Sequence, residues 1–285
     1  MTASITTSLA AIEELIDSTV SIPTVPTTLM EINRIFSDPN GSARDAANVI
    51  TKDPAIATQV LRIANSSFYG LRNPVNSIQL AVSILGLRVL KNMVVQATVL
   101  KDLSGGSEAN GFSANWLWDH SFKVACATRE LVAFMGKDSM LEKDEAYTCG
   151  LLHDVGKVIL LKEQRDRFVE ALKASQDRKA ELHTTEREVF GFSHAHVGAV
   201  LAKRWKLSDK IITAVLCHHP QPEIPEQPPL GRLVGLANRF AHRVAAGTGG
   251  YHAAPATDQE FQALGIPAEV VARLSELVLK ARIDG

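Results

Sequence analysis

The chain runs to 285 residues, 46% hydrophobic and 21% charged, with a formal net charge of -1. Such a balance predicts ordinary globular behaviour, with room for one large or two modest domains, and argues against a nucleic-acid binder working by bulk charge. No apolar run approaches the roughly 20 residues of a membrane span, and the N-terminus lacks the charge pattern of a secretion signal, so the expected location is the cytoplasm.

Helical periodicity dominates and strand-like alternation is scarce, so the expected class is all-α. Leu9 to Val20 places Leu9, Ile12, Leu15 and Ile16 on one stripe; Pro23 and Pro26 end it, and Thr27 to Phe36 resumes the pattern. Asp53-Pro54 starts a helix running to about Ser66, because Asp53 can cap free N–H groups and Pro54 loses nothing at the first helical position. Ile78 to Leu85 and Arg88 to Leu100 follow, separated by Gly86. The stretch Ser104 to Ser113 is rich in Gly, Ser and Asn and reads as a linker. Beyond it, helical patterns cover Trp116 to Phe134, Lys143 to Leu152, Val158 to Ser175, Thr184 to Phe190 and Ser193 to Lys206. Ser208 to Cys217, Leu230 to Val244 and Pro267 to Ala281 complete the set, with looser loops at Pro220 to Pro229 and Ala246 to Thr257. The expected organisation is a helical lobe over 1–103, a linker at 104–113 and a second helical lobe over 114–285.

Chemistry concentrates in the second lobe. His153 and Asp154 are adjacent, follow the apolar run Ala146 to Leu152, and precede Gly156 and Lys157. An imidazole and a carboxylate side by side can share one hard or borderline cation, Gly156 is expected to allow a sharp turn, and Lys157 can meet a phosphate. Helical spacing puts other polar groups on inward stripes: His120 with Trp116 and Val124, His194 with Val197, Leu201 and Trp205, His218 with Ile211 and Ala214, His219 with Ile212 and Val215. Asn238 shares the line Val234, Ala241, Ala245. A buried polar group without a partner costs about 1–3 kcal/mol, and a shared metal would satisfy several at once. Metal ligation is therefore expected of His120, His153, Asp154, His194, His218 and His219. For His183, His196, His242 and His252 the expected role is that of hydrogen-bonded core residues. Nitrogen and oxygen donors without thiolate suit iron, placed first, or manganese, zinc or nickel, as one ion or as two bridged by Asp154. Cys126, Cys149 and Cys217 share no metal spacing and read as buried thiols of a reducing compartment.

At this point the sequence resembles the HD superfamily of metal-dependent phosphohydrolases, and more closely the HDOD domain of bacterial signalling proteins. The resemblance covers roughly residues 15–245. It is carried by Ile22-Pro23-Thr24-Val25-Pro26, by ITKDPAIATQVLRIANSSFYG (Ile50 to Gly70) and by NSIQLAVSILGLRVLKNMVV (Asn76 to Val95) in the first lobe. GLLHDVGK (Gly150 to Lys157), FGFSHAHVGAVLAKRW (Phe190 to Trp205) and Cys217-His218-His219-Pro220 carry it in the second. The resemblance implies that the second lobe is an HD-type helical bundle, with His120 as the early histidine ligand and His153-Asp154 as the defining pair. His194, His218 and His219 match the extra histidines of relatives that cleave cyclic dinucleotides, and Lys157 matches a phosphate-contacting lysine. Three departures stand beside these matches. Asn238 lies where a late Asp ligand is expected and is a weak ligand at best. Pro220-Gln221-Pro222 replaces the Gly-Tyr-Pro motif expected after the paired histidines. Trp116 stands where an acidic ligand can precede His120.

The expected function is therefore a signal-transduction module that binds a signalling protein, a small molecule or a nucleotide and retains a divalent metal. Asn65, Ser66, Tyr69 and Gly70 form its candidate contact face, although Asn65 and Ser66 can equally cap the helix before them. The competing expectation is a metal-dependent phosphohydrolase acting on nucleotides or cyclic dinucleotides, with Lys157 holding phosphate. A diiron redox or oxygen sensor is a third.

Overall fold

A computed structural model describes residues 12–16, 31–32, 34–35, 38, 40–65, 69, 71–72, 74–87, 90, 94, 108–136, 140–205, 207–245 and 249–281. Among these the protein is all-helical, with only two isolated β-bridges, Ala109 to Phe112 and Glu181 to His252. The described residues fall into two compact units, one drawn from Met1–Ile22 and Gly106–Leu279, the other from Pro23–Gly105 and Lys280–Gly285. Most of the helix expected at Arg88 to Leu100, together with Ser66 and Gly70, lies outside the described residues. No described helix is long and apolar enough to cross a membrane.

The smaller unit contains α1 (Ala43–Thr51), α2 (Pro54–Ala64) and α3 (Ile78–Leu85). α1 escaped the periodicity reading, yet its start is well marked. Ser42 Oγ accepts the Asp45 N–H at 3.2 Å, while the Asp45 carboxylate accepts the Ser42 N–H at 3.1 Å. Asp53 caps α2 as expected, accepting the Ile56 N–H at 3.3 Å. Just past α2, Asn65 uses both ends of its amide on one residue: Nδ2 donates to Val75 O at 2.8 Å, and Oδ1 accepts the Val75 N–H at 2.6 Å. That pair closes the loop between α2 and α3 over a small core of Ala64, Val75 and Ala81.

The larger unit holds α4 (Ala114–Met135), α5 (Lys143–Leu152), α6 (Val155–Glu163), α7 (Arg165–Arg178) and α8 (Leu182–Phe190). It continues with α9 (His194–Arg204), α10 (Asp209–Leu216), α11 (Pro229–Val244), α12 (Asp258–Ala263) and α13 (Ala268–Lys280). The single helix expected over Val158 to Ser175 is two, because Gln164 leaves helical geometry at φ -134°, ψ 41°. Residues 109–112, at the end of the expected linker, form a tight turn instead: Asn110 and Gly111 take φ of 50° and 80°, and Phe112 is buried against Phe168. α4 packs along α5 and α11, and the core between them is filled by Val124, Leu131, Cys149, Leu233, Ala237 and Phe240.

Two glycines set the spacing at the centre of this bundle. Gly156 lies inside α6, not at a sharp turn as expected from the sequence. A Cβ there would lie 2.0 Å from His194 O and 2.8 Å from Gly198 N, so α6 and α9 touch backbone to backbone. A Cβ on Gly235 would likewise lie 2.3 Å from His218 O, which brings α11 against the turn after α10. Gly156→Ala must push α6 from α9 and is expected to lower stability by about 3 kcal/mol, measured as a fall in the urea unfolding midpoint.

Candidate metal centre

The His-Asp pair occupies the break between two helices. α5 ends at Leu152, His153 keeps helical angles, and Asp154 departs to φ -100°, ψ 7° before α6 begins. Both residues are fully buried, because the apolar run Ala146–Leu152 carries the chain through the core. From this junction the Asp154 carboxylate meets four imidazoles and one amine. His153 Nε2 stands 3.2 Å and His120 Nε2 3.9 Å from Oδ2; His194 Nε2 stands 3.1 Å and His218 Nε2 3.6 Å from Oδ1. Lys157, one turn along α6, donates to Oδ2 at 2.6 Å. α4, α6, α9 and the end of α10 thus contribute to a single point.

Hydrogen bonds behind the rings decide which nitrogens face it. His153 Nδ1 donates to Gly150 O and His218 Nδ1 to Val215 O, each at 2.7 Å. Carbonyls only accept, so these rings carry a proton on Nδ1, and in the neutral tautomer Nε2 is the nitrogen left facing inward. His194 Nδ1 donates to Glu186 Oε2 at 2.5 Å. The consequence is a crowd of lone pairs. His194 Nε2 and His218 Nε2 are 3.2 Å apart, while His153 Nε2 and Asp154 Oδ1 are buried without any hydrogen-bond partner. Two unpartnered atoms at the α5–α6 junction, with the crowded nitrogens of His194 and His218 beside them, are what a divalent cation satisfies, and the N/O donor set fits one.

Electrostatics keep most of these rings in the ligand form. Burial pushes His218 down to about 3, and burial drives His120 and His219 well below the usual imidazole range. Burial by itself would raise Asp154, but His153 and Lys157 outweigh it and hold the carboxyl well below its ordinary value. His194 is the exception: burial lowers it, yet the carboxylates of Glu186 and Asp154 leave it raised overall.

The remaining expected residues are placed as follows. Asn238 reaches the centre only through His120, whose Nε2 donates to Asn238 Oδ1 at 2.9 Å. His219 lies behind His218, ring centroids 4.2 Å apart, within ligand distance of the His194 and His218 nitrogens. Asn65 and Tyr69 belong to the smaller unit, and the amide of Asn65 is already committed to Val75.

Two of the four histidines expected to be ordinary core residues lie closer to the cluster than that. His183 stacks on His219 at 4.2 Å, and its Nδ1 is buried without a partner. His242 packs 4.5 Å from His120 and is pushed to about 3 by burial. His196 instead accepts the Ser193 N–H at 3.3 Å at the start of α9, and His252 donates its backbone N–H to Ser175 Oγ at 3.0 Å.

Sequence reasoning missed two residues here, Glu186 and Tyr251, and it read Trp116 as a neighbour of His120 on one stripe without its stacking. Trp116 stacks flat on His120 at 4.9 Å and 7°. Tyr251 accepts from Lys157 Nζ at 2.9 Å and stands 3.2 Å from His242 Nε2. The loop that brings Tyr251 is seated by Gly249, where a Cβ would lie 2.5 Å from the Trp116 ring, so this end of the expected loose loop is tightly packed.

A helical bundle built around a buried His-Asp junction has the form of an HD-type domain. The HDOD domain family model matches residues 22–221, and the chain belongs to the HDOD family. The crystal structure of an HDOD domain protein from Geobacter sulfurreducens is 26% identical, with a TM-score of 0.77 over 97% of this chain and 96% of that one. The fold is also that of a Shewanella amazonensis protein at 22% identity, TM-score 0.71, over 96% of this chain and 98% of that one. Among curated proteins, ribonuclease Y of Pseudothermotoga lettingae is 31% identical over 105 residues, 37% of this chain and 14% of that protein. An uncharacterized protein of Treponema pallidum is 28% identical over 234 residues, 82% of this chain and 44% of that protein. The chain thus spans less than half the length of these curated relatives.

Among the described residues Lys157 is the only Lys or Arg paired with the Asp154 carboxylate, and both are buried. Lys157→Met leaves that charge without its amine partner and is expected to cost about 3–5 kcal/mol in urea unfolding of metal-free protein.

Proposed function

We propose that this chain is a regulatory HDOD module of signal transduction in which one divalent cation serves as structure or sensor, not as a catalyst. The observation that carries the reading is closure of the centre. Lys157, the group matched to phosphate contact, is buried and already engaged by Asp154 and Tyr251. Asn238 ties up His120, and Trp116 covers the same ring. Structural metal sites are closed in this way, whereas catalytic ones keep an open position.

His153, Asp154, His194 and His218 would hold the ion, with His120 and His219 flanking. When bound, it would supply the positive charge that these lone pairs face and so tie the helices together. Charge supports one ion over two. Asp154 and Glu186 are buried opposite Lys157 alone, and Asn238 and Trp116 add no charge where relatives can carry acids. N/O ligation leaves iron, manganese, zinc and nickel as the fitting metals. The partner we propose is a signalling protein or a small ligand such as a nucleotide, with the smaller unit around Asn65 and Tyr69 as its contact region. Three free, buried thiols fit a cytoplasmic setting.

A second reading, hydrolysis of a phosphodiester, is favoured by the retained Lys157 beside the His-Asp pair. It requires Lys157 to leave two partners before it can hold a phosphate. Metal analysis separates the readings first: the purified protein is expected to carry near-stoichiometric metal, lost in the His153→Ala, Asp154→Ala double variant. Unchanged metal in that variant removes the site. Metal-loaded protein is then expected to leave cyclic dinucleotides, nucleotides and a generic phosphodiester intact; turnover abolished by the double variant would replace the regulatory reading with the hydrolytic one. Stripping the ion should also lower stability. At free metal a hundredfold above its dissociation constant the difference is about 2.7 kcal/mol, read as a drop in Tm.

A further inference from the structure

We infer that Glu186 is a positioning residue for this centre: its carboxylate fixes the His194 ring so that Nε2 stays aimed at Asp154, and so sets how tightly a divalent cation is held. The inference rests on the metal reading above. Glu186 lies on α8 and is fully buried, between Leu182 and Val189 at steps of four and three. Thr185 next to it anchors the helix, its Oγ1 donating to Ala171 O on α7 at 2.9 Å. Held there, Glu186 Oε2 accepts two hydrogen bonds from one residue, the His194 backbone N–H at 2.8 Å and the Nδ1–H at 2.5 Å. Bonds to both the main chain and the ring leave the imidazole little freedom to rotate. His153 and His218 are backed by neutral carbonyls, so His194 alone among the three has a charged acceptor behind it.

A carboxylate in such a place is costly to bury, and its second oxygen, Oε1, has no hydrogen-bond partner at all. A purely structural role would need only a cap for the first N–H of α9, which a neutral side chain supplies as well. The charge is explained by the ring. A carboxylate on the far nitrogen raises the donor strength of a ligating imidazole and fixes its orientation, and loss of such a partner commonly weakens metal binding about 10- to 100-fold.

The test is competition for cobalt(II) between metal-free protein and a chromophoric chelator, read alongside the visible spectrum of bound cobalt. Glu186→Gln keeps the length and an acceptor for the His194 N–H but removes the charge. It is expected to weaken cobalt binding about tenfold and shift the visible band, while the unfolding midpoint of the metal-free protein stays put. Glu186→Ala should weaken binding further, toward 100-fold, and should also lose the cap. Wild-type affinity and spectrum in Glu186→Gln, with or without lost stability, would reduce Glu186 to a helix cap and overturn the inference. A wild-type protein that takes up no cobalt overturns the underlying metal reading as well, so the two failures are told apart; Glu186→Gln carries the test even where Glu186→Ala does not fold.

Discussion

One carboxylate organises the larger unit. Asp154 is buried completely and has the Lys157 amine and four imidazole nitrogens within 4 Å. An isolated charge in that position would be prohibitive; Lys157 offsets it directly, and the ring nitrogens turned toward the same point form a set that a divalent cation would satisfy. α4 brings His120, α6 brings Lys157, α9 opens on His194, and the turn after α10 brings His218. The fold reads most simply as the arrangement that gathers these donors around one buried carboxylate.

The same arrangement underlies the proposal that an ion is held here and not used. An ion that does chemistry needs a ligand position open to substrate and a cationic group free to meet incoming negative charge. Here the amine is shared between Asp154 and Tyr251, the ring nearest Asn238 is engaged by it, and an indole lies flat on that ring's face. Each of these contacts belongs to the chain itself. The departures read in the sequence, an amide for an acid and an indole for an acid, become in three dimensions two contacts that shield His120.

The sequence made the helices and the core of the cluster legible because the relevant signals are local. An imidazole on an apolar stripe must face inward, and the spacing of His120, His194, His218 and Asn238 said so. What stayed hidden depends on tertiary closure. Gly156 looked like a turn residue, since adjacency to a helix end is a strong local cue; its real constraint is the α9 backbone at His194 and Gly198, a stretch distant in the chain. Tyr251 sat in a Gly- and Ala-rich stretch whose composition suggested looseness, yet Gly249 is what allows that stretch to lie against Trp116. Glu186 was the more accessible omission. A carboxylate between Leu182 and Val189 breaks an apolar stripe, the same signal that marked the histidines. α1 was missed because its apolar face is short, although its capping box is written plainly in Ser42 and Asp45.

The glycine contacts carry an implication for how such proteins diversify. Helix spacing around the centre is enforced by main chain pressed on main chain at Gly156 and Gly235, independent of any imidazole. Ring nitrogens can therefore be exchanged for other side chains while the framework keeps its register. Such a scaffold would stay well formed through the loss of single donors, because its spacing does not depend on them.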